Sequence, residues 1–176
     1  MPELANDLAL SKKIQSVKAS GIRIFDNKVS TIPGIIKLTL GEPDMNTPEH
    51  VKTAAIESIR NNDSHYAPQK GKLELRQAIS NYLKKATGVV YDPETEIVVT
   101  VGATEAINAT LFSITNPGDK VAIPTPVFSL YWPVATLADA DYVLMNTSED
   151  NFKLTPERLE STLKEESNIK AVILNY

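Results

Sequence analysis

The chain has no cysteine. That excludes disulfides, thiolate metal sites and cysteine nucleophiles, and it fits a reducing compartment. Histidine is nearly as scarce, with only His50 and His65. His50 follows Thr47-Pro48-Glu49 at the start of a helical pattern and reads as a surface residue. No second ligand follows at metal spacing, so no metal site is expected. Positive charge is also short: the formal net charge is −4 and the pI about 5.3. The pairs Lys12-Lys13 and Lys84-Lys85 do not merge into a basic patch. Neither nucleic acid nor an anionic membrane is therefore expected as a partner. No apolar run approaches membrane-spanning length, and the first seven residues are acidic, without the basic and apolar regions of a signal peptide. The cytoplasm is the expected location. Internal repeats and low-complexity linkers are missing too.

What is present is the composition of a globular domain. The 176 residues are 42% hydrophobic and 23% charged, enough for one domain that buries roughly two-thirds of its unfolded surface. Apolar spacing predicts a helix over about 7–19, with Leu8, Leu10, Ile14 and Val17 near one face. Pro33-Gly34 marks a loop before a strand over 35–40. Thr47 is placed to cap a helix with Pro48 at its first position, ending near Asn61-Asn62. The polar stretch 63–71 reads as irregular, and Leu75, Ile79, Tyr82 and Leu83 stripe the helix after it.

From there the alternation is regular. Strand 97–101, helix 104–114 and strand 120–123 come first. A helix near 128–137, which Pro133 should kink or interrupt, leads to strand 141–146. Helix 156–165, opened by Thr155-Pro156, and strand 169–175 complete the pattern. This predicts an α/β fold, a mainly parallel sheet sandwiched by helices. Its last strand would leave an exposed edge.

The stretch 96–131 carries the chemistry. The β-branched run 97–101 meets Gly102, and a helical pattern follows with Ile107, Leu111 and Ile114 on one face. A strand turning through glycine into a helix aims unpaired N–H groups at one point, which suits a phosphate. The plainer reading is a tight turn with Thr104 as an ordinary N-cap. After the next strand, Pro126-Val127-Phe128 places an aromatic where it could cover a flat ring, or simply join the core. Phosphate at one end and a covered ring at the other describe pyridoxal 5′-phosphate (PLP). The nucleotide-binding patterns GxGxxG and GxxxxGK[ST] do not occur here.

Four motifs in order now carry a resemblance: Leu40-Gly41-Glu42-Pro43-Asp44; His65-Tyr66 with Gly71, Leu75 and Arg76; Gly102-Ala103-Thr104-Glu105-Ala106; and Pro126-Val127-Phe128. The chain resembles the N-terminal half of class I/II PLP-dependent aminotransferases of fold type I. The phrasing of 20–25 and 38–44 is similar to bacterial aromatic-amino-acid and N-acetyl-diaminopimelate aminotransferases. The resemblance implies that Gly102, Ala103, Thr104 and Tyr66 hold the cofactor phosphate and that Phe128 covers its ring. It also implies that the Gly41 backbone meets the substrate carboxylate. Arg23 and Arg76 read as structural ion-pair residues, Trp132 as core, and the lysines as solvated faces.

The same resemblance implies an N-terminal arm and small-domain segment over 1–45 and the first half of a large PLP-binding domain over 46–176. The catalytic lysine, the cofactor-ring asparagine and aspartate, and the carboxylate-gripping arginine of the family are expected beyond Tyr176, so these residues alone should not transaminate. The expected activity is transfer of an amino group from an amino acid to a 2-oxo acid, in a homodimer. A lyase or decarboxylase of the same fold, and a non-catalytic aminotransferase-like binding domain, remain as alternatives.

Overall fold

The structure, a computed structural model, describes residues 10–17 and 20–175. Two compact units result, one built from residues up to 39 and from 102 onward, the other from Leu40–Val101.

In the first unit, helix α1 (Lys12–Ser16) is capped by Ser11, whose hydroxyl accepts from the Ile14 N–H. Val17 is already extended, so the helix expected over 7–19 stops there; its outer parts lie outside the described residues. Helix α2 (Gly21–Val29) occupies a stretch where no element was expected. The spacing of Ile22, Phe25 and Val29 was its signal, obscured by a leading glycine and exposed apolar side chains. The strand expected over 35–40 does not form. No strand pairs with it among the described residues, and Ile36 and Leu38 are exposed.

The second unit holds α3 (Glu49–Arg60) and α4 (Leu73–Thr87) around the irregular stretch 63–71. Pro48 occupies the α3 N-cap, so Thr47 is not the cap. On α4, Leu75 and Tyr82 stay exposed while Arg76 and Ser80 are buried. Among the described residues, Arg76 forms no ion pair. It donates to the carbonyls of Gly71, at 3.1 Å, and Pro93, while the Ser80 hydroxyl donates to the Tyr91 carbonyl. The stretch 97–101, expected as a strand, joins no ladder among the described residues. Val98 and Val101 are exposed, and the Val99 N–H donates to the Lys70 carbonyl at 3.0 Å. A β-branched run alone does not make a strand, because the ladder needs a neighbour.

The regular α/β part belongs to the first unit. Helix α5 (Gly102–Ile114) leads through the Asn116–Asp119 turn to β1 (Lys120–Thr125). Then come α6 (Tyr131–Leu137), β2 (Asp141–Asn146), α7 (Pro156–Glu165) and β3 (Ile169–Val172). Pro133 is the third residue of α6, where its missing N–H has no intrahelical partner to lose, so it sits in the first turn and neither kinks nor interrupts the helix. Thr155 caps α7, accepting from the Arg158 N–H at 3.2 Å.

The three strands are parallel in the order β2-β1-β3, with Lys120 opposite both Asp141 and Ile169. Val121 and Ile123 point to one face and pack against Leu111 of α5 and Val134 and Ala135 of α6. Ala122 and Met145, on the other face, are also buried. The crossovers run in opposite directions about β1, and right-handed connections then put α6 and α7 on opposite faces. The fold is therefore α/β, with helices covering both faces of a parallel sheet.

β3 ends at Val172, three residues before the expected strand end, for a reason found on its neighbour. Lys120 N–H and Ala122 carbonyl bond to the β3 side, at Asn168 and Ile173. The next residue of β1 facing that side is Pro124, which has no N–H for the Ile173 carbonyl.

Candidate cofactor site

Gly102 opens α5 with φ +81, a conformation that glycine adopts freely and other residues reach only with strain. A Cβ added there would meet no atom within 4 Å, so conformation rather than space calls for glycine. Ala103 and Thr104 follow in the first helical turn, both exposed. Helix initiation at Gly102 is two residues earlier than the spacing predicted. The leading N–H groups of any helix lack an intrahelical acceptor and carry the positive end of its dipole. Glu105 shares this turn, and its carboxylate offsets part of that dipole.

The path of the chain sets where this turn lies. α5 packs Ile107 and Leu111 on Val121 and Ile123, so it folds back along β1 after the tight 115–119 turn. Its 13 residues span about 20 Å, the same as the six residues of β1. The first turn of α5 therefore lies toward the carboxyl end of β1. From that end the chain leaves through the cis Thr125-Pro126 bond to Val127 and Phe128. Phe128 is 55% exposed and meets Tyr131 edge-on, with ring centroids 6.0 Å apart and planes at 89°. In open α/β sheets ligands bind beyond the carboxyl ends of strands, where strand order reverses; here it reverses about β1.

A donor turn and a half-exposed flat ring at one sheet end fit a ligand with a phosphate and an aromatic ring. Tyr66 and Gly41 belong to the second unit. Tyr66 is fully exposed in its irregular stretch, beside Ser64 and His65, and Gly41 is exposed outside any helix or strand. Two further residues escape a reading by motif. The Tyr131 hydroxyl donates to Asn175 Oδ1 at 2.8 Å, across 44 positions of sequence, and no local pattern signals such a bond.

The family pattern described as aminotransferase class I and II matches residues 33–176. The chain belongs to the class I and II aminotransferases. Among curated proteins, it is 42% identical over 167 residues to a probable N-acetyl-LL-diaminopimelate aminotransferase of Bacillus subtilis, covering 95% of this chain and 42% of that protein. It is 38% identical over 169 residues to aromatic-amino-acid aminotransferase 2 of Thermococcus litoralis, with 96% and 43% covered. Among solved structures, the aspartate aminotransferase of Thermus thermophilus with maleate superposes with a TM-score of 0.87 at 32% identity, covering 94% of this chain and 44% of that one. This chain thus spans less than half the length of these aminotransferases. The family works with PLP, and its fold type I agrees with the sheet described above. Among the described residues, no group of His, Cys, Asp or Glu is placed to hold a metal ion, and no helix is long and apolar enough to cross a membrane.

Proposed function

We propose that the complete protein is a PLP-dependent aminotransferase that moves an amino group from an amino acid to a 2-oxo acid. The observation that carries this is the positive-φ Gly102 turn opening α5 at the sheet end from which β1 delivers Phe128. In this reading the Gly102 and Ala103 N–H groups and the Thr104 hydroxyl bind the cofactor phosphate. Charge-assisted bonds of this kind contribute about 1.5–3 kcal/mol each. Phe128 covers one ring face and keeps water from it, and the Gly41 backbone meets the substrate carboxylate. When bound, PLP supplies the electron sink for ionising the substrate Cα–H bond, while the protein supplies orientation and electrostatics.

Tyr66 is proposed to reach the phosphate of a neighbouring subunit in a homodimer. Full exposure on an irregular stretch supports that role. Residues 1–45 are proposed as arm and small-domain segment and 46–176 as part of the large domain. The cytoplasm, where free amino acids and 2-oxo acids exchange, is the proposed location. The relatives named above are aminotransferases, which supports transfer over lyase or decarboxylase chemistry.

The test is a visible spectrum of the complete protein with PLP, before and after adding aromatic amino acids, aspartate or N-acetyl-LL-diaminopimelate. A protein-bound cofactor band that shifts with one of these donors, and shifts back with a 2-oxo acid, is the expected result. A protein that binds no PLP, or that releases carbon dioxide or eliminates instead, rules the proposal out.

A further inference from the structure

Phe128 is more than half exposed, so its own burial does not set the plane of its ring. What meets it is Tyr131, edge-on at 6.0 Å and 89°. Edge-to-face contacts are directional, because the positive ring edge seeks the negative face. Tyr131 is in turn held from two sides. Its ring packs on the core around Val121 and Ile123. Its hydroxyl donates to Asn175 Oδ1 at 2.8 Å. Asn175 follows β3, where the Ile173 N–H still bonds to the Ala122 carbonyl of β1 at 3.0 Å. The hydroxyl bond therefore ties the segment leaving β1 to the segment leaving its neighbour β3.

We propose that Tyr131 is a positioning residue for the cofactor ring, clamped between the core and Asn175 so that it fixes the plane in which Phe128 presents its face. The inference rests on the proposed role of Phe128 as ring cover. It adds a residue pair outside the four family-like motifs, one member 44 positions beyond the other.

The clamp is tested in the complete protein with PLP as probe. Tyr131→Phe keeps the edge contact and removes only the hydroxyl; Asn175→Ala removes the acceptor and leaves Tyr131 intact. Each should weaken PLP binding in equilibrium dialysis about five-fold, the worth of one ordinary hydrogen bond. Each should also lower the visible circular dichroism of the cofactor at saturation, a signal that reports ring orientation and that mere loss of stability does not move. The double variant should be no weaker than either single one, because both remove the same bond.

Phe128→Leu separates the two levels of the claim. If Phe128→Leu leaves PLP affinity and dichroism unchanged, the ring-cover reading fails and the clamp with it. If Phe128→Leu weakens binding while Tyr131→Phe and Asn175→Ala keep wild-type affinity and dichroism, the ring cover stands and the clamp is overturned. Fully additive losses in the double variant overturn the shared bond as well.

Discussion

At Thr104 a single hydroxyl separates two roles, donor to a bound phosphate and ordinary member of a helical first turn. Thr104→Ala removes the donor and should cost PLP affinity roughly 1.5–3 kcal/mol, about ten-fold or more. Thr104→Ser retains the hydroxyl and should stay within about two-fold of wild type. Equilibrium dialysis on the complete protein decides it: equal affinity for wild type and the alanine variant returns Thr104 to a structural role. Gly71 shows a different single-atom constraint. Its φ is +91, and a Cβ there would lie 2.7 Å from the Val99 Cβ and Cγ2. Gly71→Ala meets strain and overlap together, so a loss of roughly 2 kcal/mol or more is expected in denaturant unfolding. A midpoint unchanged from wild type would show that Val99 moves aside freely.

Between elements, the polar fastening of α2 is the feature most open to test. Asp26 is buried on α2, accepts from the Thr39 hydroxyl, and lies 3.5 Å from Lys37 Nζ. The Thr39 hydrogen bond holds its carboxyl below the ordinary aspartate pKa, with help from the charges of Lys37 and Arg23 and against the opposing effect of burial. A folded-state pKa below the unfolded one gives stability that is present above the ordinary aspartate value. That stability is lost as pH falls from there through the lowered value. Asp26→Asn should therefore be less stable than wild type at neutral pH, with the gap closing on the acid side. Denaturant unfolding across that range measures it, and a gap independent of pH would assign the loss to packing instead. The second unit is fastened differently, by Arg76 and Ser80 donating to carbonyls of Gly71, Pro93 and Tyr91. An arginine on a helix face reads in sequence as an ion-pair partner; burial turned it toward backbone acceptors, which folding would otherwise leave without partners.

For the whole molecule, the role proposed for Tyr66 depends on assembly. A two-fold dimer would make an exchange of Tyr66 loops reciprocal, so both sites are completed at once. A Tyr66→Phe subunit mixed with a subunit lacking the family's catalytic lysine should regain about one working site per heterodimer. If hybrids regain nothing while Tyr66→Phe alone weakens PLP binding, the tyrosine acts within its own chain. The exposed apolar side chains Ile36, Leu38, Val98 and Val101 sit in the two stretches whose composition predicts strands. They have strand-like composition without a ladder among the described residues.

Local signals in the amino-acid sequence determined the helix and strand series from α5 to α7, the Thr155 cap and the parallel class of the sheet. Periodicity and capping act within a few residues, so they survive without knowledge of neighbours. The same locality marked Gly102, Thr104 and Phe128 as candidates, each by a turn or a strand end. Pairing did not follow from such signals. Whether 35–40 and 97–101 join a sheet depends on a strand lying beside them, and β3 stops where Pro124 on the adjacent strand withholds a donor. The contact of Tyr131 with Asn175 likewise exists only because β1 and β3, far apart in sequence, are neighbours in space. Hydrogen bonds between distant segments are made by the tertiary fold, and no window of local sequence contains both partners.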